Sequence, residues 1–320
     1  MKKIFTPPWW AVSPHIQTIL PVLFKVAKPD THRQRQELTD GDFIDLDWLG
    51  KPQNGQPILV ILHGLEGSSE SHYVRRMLQT AQNHGLCAVV HHHRSCSGEP
   101  NRLARSYHSG DTEDIHFTLT QLHQQYPESP LYAVGYSLGG NVLAKYQGEQ
   151  GEQSLLEKTI IVSAPLWLAA CAKKLEKGFS KVYQQHLIKQ LQAKMHSKVL
   201  QTNLVEKMPV TEAQIQQLST FYLFDDKVTA PLHGFADVND YYQRASGKPF
   251  LKNVSKSTLV IHAQDDPFMT DDVIPAAVEL SEHVEYELHP KGGHVGFISG
   301  GVPWKPRFYL ESRIIHFLKS

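Results

Sequence analysis

The stretch Leu131-Tyr-Ala-Val-Gly-Tyr-Ser-Leu-Gly-Gly-Asn141 predicts a short buried strand, a sharp turn and then a helix. Within it, Gly135-Tyr-Ser137-Leu-Gly139 has the G-x-S-x-G pattern of a nucleophile elbow, in which a serine stands on a strand-to-helix turn. Glycines two residues before and after the serine remove side chains that would collide where the chain reverses. The stretch therefore makes Ser137 a candidate nucleophile at the edge of a sheet.

Strand-like and helix-like segments alternate on both sides of this motif. Short apolar runs suited to buried strands occur at 57–62, 86–90, 159–162, 258–261 and 284–288. Helical patterns separate most of these runs, which predicts βαβ units and a mainly parallel sheet flanked by helices. Residues 166–250 interrupt the alternation, because they have helical patterning without a convincing strand. We expect them to form a helical cap over the carboxyl ends of the strands, where open α/β sheets bind ligands.

Length and charge limit the class of protein. The chain has 320 residues, which suits a single domain over 1–320 with an N-terminal arm at about 1–30 and the cap insertion at about 166–250. Lys plus Arg and Asp plus Glu both number 32. This balance argues against nucleic acid or an anionic membrane as a general partner.

Cysteine content and hydropathy indicate the compartment. Cys87, Cys96 and Cys171 are too widely spaced for a disulfide framework or a zinc pattern, so we expect a cytoplasmic location. The chain contains no run of about 18 apolar residues, so no transmembrane span is predicted. We expect the apolar run 16–24 to pack on the domain. A membrane-touching arm is the alternative.

An activated serine needs a base and an acid, because an isolated hydroxyl is a poor nucleophile. Among 19 histidines, His294 follows the last strand-like segment and has glycines on both sides. Asp265 and Asp266 follow the preceding strand-like run, where a carboxylate would orient the imidazole. The Pro-Phe-Met turn that follows favours Asp266 as the acid, although the two carboxylates could exchange roles.

Two backbone N–H groups are candidates for an oxyanion hole. One belongs to Leu138, the residue after the proposed nucleophile, and the second is expected in the loop after an earlier strand. That loop is His63-Gly-Leu-Glu-Gly-Ser68, directly after the apolar run 57–62, and Leu65 is its candidate donor.

These residues resemble the α/β-hydrolases, in which Ser, Asp and His follow one another in this chain order. More closely, the chain resembles the YheT-like group, which is related to eukaryotic α/β-hydrolase-domain lipases and esterases. The similar blocks cover nearly the whole chain and include Ser13-Pro-His-Ile-Gln17-Thr18, His63-Gly-Leu-Glu-Gly-Ser68, Glu176-Lys-Gly-Phe179, Asp265-Asp-Pro-Phe268 and Gly292-Gly-His-Val-Gly-Phe297. The resemblance implies an α/β-hydrolase fold and an ester-type hydrolase, and leaves the substrate open.

The expected function is cleavage of carboxylic esters with short- to medium-chain or lipid-like acyl groups, through an acyl-enzyme and without cofactor or metal. The partner would be a small-molecule ester, and the oligomeric state stays open. A thioesterase or an acyltransferase with the same triad, or a non-catalytic binding module on this fold, is the alternative. Dehalogenase or epoxide hydrolase chemistry would need an aspartate in place of Ser137.

Other polar groups are less suited to catalysis. His91-His-His93 lies in a strand-like segment, where consecutive side chains point to opposite faces, so at most two would converge on a metal ion. Cys96 has no elbow. Asp225 and Asp226 do not follow a sheet strand, so we expect them to join the cap to the core. Apolar cap residues that are candidates for an acyl pocket, or for the cap's own core, are Trp167, Leu168, Phe179 and Tyr183.

Overall fold

A computed structural model describes residues 5–24, 26–53, 55–200, 204 and 207–320. The strands are β1 His32–Glu37, β2 Phe43–Leu49, β3 Ile58–Leu62, β4 Cys87–His91, β5 Leu131–Tyr136, β6 Leu156–Val162, β7 Ser257–Ala263, β8 Val284–His289, β9 Ile298–Val302 and β10 Lys305–Phe308. The helices are α1 Pro14–Leu23, α2 His72–Asn83, α3 Glu113–Gln125, α4 Leu138–Gln150, α5 Leu168–Leu175, α6 Ser180–Val199, α7 Glu212–Ile215, α8 Phe221–Phe224, α9 Ala230–Leu232, α10 Val238–Ala245 and α11 Leu310–Lys319.

Eight strands form one sheet in the order β1-β2-β4-β3-β5-β6-β7-β8. β2 is antiparallel to both β1 and β4, and the remaining pairs are parallel. All five apolar runs predicted as strands lie in this sheet. Every residue of β3 and of β4 is buried, as expected for strands covered on both faces.

Side chains of β3 alternate between two hydrophobic cores. Ile58, Val60 and Leu62 pack with α3 and α4, whereas Leu59 and Ile61 pack with α2 and α11. The mainly parallel sheet flanked by helices is therefore confirmed. It brings the carboxyl ends of β3, β5, β6 and β7 to one edge, where the candidate residues follow the strands.

Helices α5 to α10 lie between β6 and β7 in the chain, and we call them the cap. They confirm the predicted helical insertion. Part of the cap has its own cluster of buried apolar side chains, which includes Ile188, Leu191 and Met195 of α6. The cap thus packs largely on itself and leaves a cavity above the sheet edge.

Helix α1 packs in the direction opposite to that suggested by its sequence. Its buried residues are Gln17 and Pro21, whereas Ile16, Ile19 and Leu23 are 40%, 43% and 73% exposed. The cause is the Gln17 amide, whose Oε1 accepts the Ile298 N–H at 2.6 Å.

Within the described ranges, no helix combines the length and apolar character needed to cross a membrane.

Candidate active site

Ser137 stands on a strained turn between β5 and α4, with φ 51° and ψ −119°. A Cβ atom added at Gly139 would lie 2.6 Å from the His63 carbonyl oxygen and 2.7 Å from that of Leu62. A Cβ at Gly135 would collide with the Gly139 carbonyl. Gly139 is therefore required for the turn to pack against the end of β3, and Gly135 for β5 to pack against the start of α4.

Ser137, His294 and Asp266 form a continuous chain of hydrogen bonds. The Nδ1 atom of His294 lies 2.8 Å from Oδ2 of Asp266, and its Nε2 lies 3.0 Å from the Ser137 hydroxyl oxygen. Because a carboxylate only accepts hydrogen bonds, Nδ1 carries the proton and Nε2 is left to accept from the serine. Asp266 is 3% exposed, and its second oxygen accepts the Phe268 N–H at 2.8 Å.

The neighbouring Asp265 has a different set of contacts. Its Oδ1 accepts the Gly293 N–H at 3.0 Å, and its Oδ2 lies 3.9 Å from Nζ of Lys291. Burial raises the pKa of this carboxyl. Of the two acids that the sequence leaves open, Asp266 is thus the one in contact with the imidazole.

Residues that the sequence analysis missed hold the His294 loop. The His294 N–H donates to Oγ1 of Thr18 in α1 at 2.9 Å, and the Phe268 ring stacks on the imidazole with centroids 4.0 Å apart. Val295 follows with φ 59°, an uncommon conformation for a β-branched residue, and its N–H donates to Ser163. The sequence signal for Thr18 and Phe268 is their position in two of the blocks that resemble the YheT-like group.

The two candidate oxyanion donors lie beside the serine. Leu138 is the first residue of α4, where a backbone N–H has no partner within the helix. On either side of Leu65, the Gly64 N–H donates to the Tyr73 hydroxyl and the Glu66 N–H to the Tyr107 hydroxyl. The N–H of Leu65 itself makes no hydrogen bond with the described residues.

A buried polar cluster connects this loop to the cap. Glu66, which has φ 53°, accepts a hydrogen bond from the Tyr107 hydroxyl and pairs with Nζ of Lys194 in α6 at 2.8 Å. Lys194 also lies 3.0 Å from the Cys96 sulfur. Burial raises the pKa of that thiol to about 11, which keeps it protonated at neutral pH.

A cavity of about 840 Å³, including its opening to solvent, lies between the sheet edge and the cap. Its floor contains Ser137 and His294, and His108 and Asp225 also line it. The apolar lining residues include Leu65, Leu138, Leu168, Ala172, Leu175, Leu187, Leu191, Phe221, Phe224, Phe268 and Met269. The hydrogen-bonded side chains of Ser137 and His294 thus face a mostly apolar cavity.

The four cap residues suggested for an acyl pocket do not share that role. Only Leu168 lines the cavity. Phe179 and Tyr183 contact His15 of the N-terminal arm, and Trp167 lines a separate surface depression. Of the two alternatives, the acyl pocket therefore applies to Leu168 alone, and the N-terminal arm contacts Phe179 and Tyr183.

The histidines of the 91–93 segment have three separate partners. His91 contacts Thr118, His92 pairs with Asp47 at 3.0 Å, and the His93 ring contacts the His63 carbonyl. They do not converge on a common point.

A different group, His108, Asp111 and His233, brings potential metal-binding atoms within 4.8 Å of one another. The Arg105 guanidinium donates to Oδ1 of Asp111 at 3.0 Å, and the Gly110 N–H donates to Nδ1 of His108. Two of the three groups are therefore already bonded within the protein, and we assign no metal to them.

Comparison with known proteins is consistent with this geometry. Residues 57–301 match the family model described as the alpha/beta hydrolase fold. A protein named "Putative esterase YheT", from Escherichia coli, is 46% identical over 309 residues, which cover 96% of this chain and 90% of that protein. The human phospholipase ABHD3 is 28% identical over 328 residues, which cover 99% of this chain and 79% of that protein.

More distant similarities extend the same pattern. The monoacylglycerol lipase of Saccharomyces cerevisiae is 27% identical over 251 residues, which cover 76% of this chain and 55% of that protein. The solved structure of the Pyrococcus furiosus esterase Pf2001 aligns with a TM-score of 0.56 and 15% identity, covering 100% of this chain and 98% of that chain. At this identity the structural match shows a shared fold alone.

Proposed function

Because the chain belongs to the α/β-hydrolase family, and within it to the YheT-like group, we propose that it is a serine hydrolase that cleaves carboxylic esters. The observation that carries the proposal is the hydrogen-bonded series from Asp266 through His294 to Ser137 on the cavity floor. Relatives named esterase, phospholipase and monoacylglycerol lipase support an ester as the substrate.

In the proposed mechanism, Ser137 Oγ attacks the ester carbonyl while Nε2 of His294 takes the hydroxyl proton. Asp266 holds the imidazole in the correct tautomer and stabilises the imidazolium that forms. The tetrahedral intermediate collapses to an acyl-enzyme, and His294 gives the proton to the departing alcohol. Water, activated by the same nitrogen, then releases the acid and restores the serine.

The developing oxyanion needs donors that are already in place. We assign this role to the N–H groups of Leu65 and Leu138, whose side chains both line the cavity beside Ser137. Preorganised donors of this kind typically contribute about 3–4 kcal/mol each to transition-state stabilisation.

The apolar cavity supports an acyl chain as the group bound beside the serine. Its leucine and phenylalanine lining removes hydrocarbon from water, which contributes about 0.8 kcal/mol for each buried methylene. We propose short- to medium-chain or lipid-like esters as the substrate class.

Two broader proposals concern the domain organisation and the cellular location of the protein. We propose that residues 1–320 form one domain, with the arm and the cap as parts of it. We also propose a cytoplasmic location, which is supported by the unpaired state of Cys87, Cys96 and Cys171.

Labelling with a fluorophosphonate probe tests the serine directly. Wild type is expected to react, Ser137→Ala and His294→Ala are expected not to react, and Ser312→Ala, on the remote helix α11, should behave as wild type. A panel of aryl esters from acetyl to long-chain acyl, run with the same four proteins, gives the chain-length preference. Adding an alcohol acceptor and analysing the products separates hydrolysis from acyl transfer.

Labelling or turnover that persists in Ser137→Ala would contradict the mechanism. A wild-type protein that is folded but shows neither labelling nor turnover across the panel would favour the non-catalytic binding module.

A further inference from the structure

Asp225 is the one carboxylate among the described residues that line the cavity. It is the first residue of a π-helical turn, Asp225–Thr229, which directly follows α8. Such turns are rare and occur frequently at functional sites. The residue is half-buried and lines the same cavity as Ser137 and His294.

The carboxylate of Asp225 has two neutral hydrogen-bond partners. Oδ1 accepts from the Thr229 hydroxyl at 2.7 Å, and Oδ2 accepts from the Tyr242 hydroxyl at 2.8 Å. No ion pair in the described part of the chain includes it, and the neighbouring Lys227 pairs with Asp226 instead. A carboxylate has about four acceptor positions, so about two remain for a ligand.

Burial raises the pKa of Asp225 to about 6. At neutral pH the group is therefore mostly ionised, although no cation accompanies it. A buried charge without a partner is costly, and a neutral amide could hold Thr229 and Tyr242 equally well. These two hydrogen bonds therefore do not by themselves require a negative charge at this position.

Four aromatic side chains line the same cavity as this carboxylate. Phe221 and Phe224 belong to α8, directly before Asp225, and Tyr241 and Tyr242 belong to α10. Aromatic faces attract organic cations, and a cation between rings and a carboxylate is stabilised by both. The same group of side chains would offer nothing comparable to an anion.

We propose that Asp225, with Phe221, Phe224, Tyr241 and Tyr242, forms a subsite for a positively charged ammonium group of the substrate. The preferred substrates are then carboxylic esters that carry an ammonium group at a distance from the ester carbonyl set by the cavity. This inference rests on the proposed function, because it takes the cavity to be the site of ester cleavage.

A matched series of substrates tests the subsite. Aryl esters with acyl chains of increasing length, each ending in trimethylammonium, are compared with their tert-butyl-terminated carbon isosteres, which have the same shape without the charge. At the best length, wild type is expected to prefer the cationic ester at least tenfold in kcat/KM. The readout is the ratio of the two values, so that a general loss of activity cancels.

Two variants locate the effect. Asp225→Asn is expected to reduce the ratio to about one, whereas Asp226→Asn, which changes the adjacent acid paired with Lys227, should keep the wild-type ratio. A measurement on wild type alone covers the case in which Asp225→Asn does not fold. Alkyl trimethylammonium ions should inhibit cleavage of the neutral ester at least tenfold more strongly than the corresponding tert-butyl compounds.

A ratio near one in wild type at every chain length, or an unchanged ratio in Asp225→Asn, would overturn the subsite. If the neutral esters are cleaved and Ser137 is labelled in that case, only the subsite fails. If wild type neither reacts with the probe nor cleaves either ester, the proposed function fails first and the subsite fails with it.

Discussion

The sheet edge and the cap contribute to the cavity in different ways. At the sheet edge, the candidate catalytic side chains lie on loops that directly follow strands. The backbone there is so closely packed that a Cβ atom on Gly139 would lie 2.6 Å from the carbonyl oxygen of His63, directly after β3. The cap instead surrounds the cavity with helices that pack mainly on one another. The side chains of the proposed triad lie on loops of the sheet edge, and most of the apolar side chains that line the cavity lie on the cap.

Strained backbone shows the same division. Glu66, Ser137 and Val295 all have φ between 51° and 59° and lie beside the proposed reacting groups, on loops of the sheet edge. Non-glycine residues hold such angles only where their surroundings enforce them. The comparison predicts that changes at the sheet edge affect kcat most, and that changes in the cap affect substrate preference and stability.

The largest effect is expected at Asp266. Asp266→Asn should reduce kcat/KM by about 10⁴-fold with the fold intact, because an amide can donate to Nδ1 of His294 and favour the tautomer that cannot accept the serine proton. Asp265→Asn is the matched control, and it should cost less than about tenfold because its amide oxygen can still accept the Gly293 N–H. Steady-state kinetics with an aryl ester checks both, and the reverse order of losses would identify Asp265 as the acid.

The sequence was sufficient to predict the parts of the site that depend on local patterns. Glycine spacing predicts the elbow at Ser137, and the position of His294 after the last strand of the sheet predicts the base; the two side chains lie 3.0 Å apart. The turn that follows Asp266 favours it as the acid, but the sequence leaves Asp265 open, because both follow the same strand and only side-chain direction separates them. Strand order and chain order carry no information on such directions.

Contacts between distant segments were also outside the reach of sequence patterns. The apolar run in α1 suggested that Ile16 and Ile19 would be buried, but the helix is oriented by Gln17, which bonds to Ile298, and by Thr18, which bonds to His294. Phe179, a candidate for the acyl pocket or for the cap's own core, contacts His15 of the arm. In both cases long-range polar or aromatic contacts fix the orientation, and hydrophobic periodicity does not detect such contacts.

The next effect in size concerns the link between the two regions. Lys194→Met removes the cap's ion pair with Glu66 and leaves that carboxylate buried with Tyr107 as its remaining hydrogen-bond donor. We expect a loss of about 2 kcal/mol in the free energy of unfolding. We also expect about a tenfold decrease in kcat with little change in KM, because Glu66 directly follows the proposed donor Leu65.

Chemical denaturation and steady-state kinetics measure the two parts of this prediction. Lys189→Met, an exposed position on the same helix, serves as the control and should match wild type in both. Adding Glu66→Gln to Lys194→Met should restore part of the stability, because the uncompensated charge is then removed. A KM effect without a kcat effect would mean that the pair acts on substrate binding instead of on the oxyanion loop.

The last effect is expected in the stability of the cap alone, and it depends on pH. The pKa of Asp225 is raised to about 6 in the folded protein, so the folded state keeps a proton that the unfolded chain releases near pH 4. Stability from this group is therefore complete below about pH 4 and is lost as the pH rises through 6.

Asp225→Asn does not titrate, so its free energy of unfolding should exceed that of wild type above pH 7, by up to about 3 kcal/mol, and the difference should vanish near pH 4. Urea unfolding across this range tests it, with Asp226→Asn as the control that should show no such gain. A destabilised Asp225→Asn at pH 8 would mean that the carboxylate has a stabilising partner in solution. The cap would then hold no uncompensated charge, and this difference between the cap and the sheet edge would disappear.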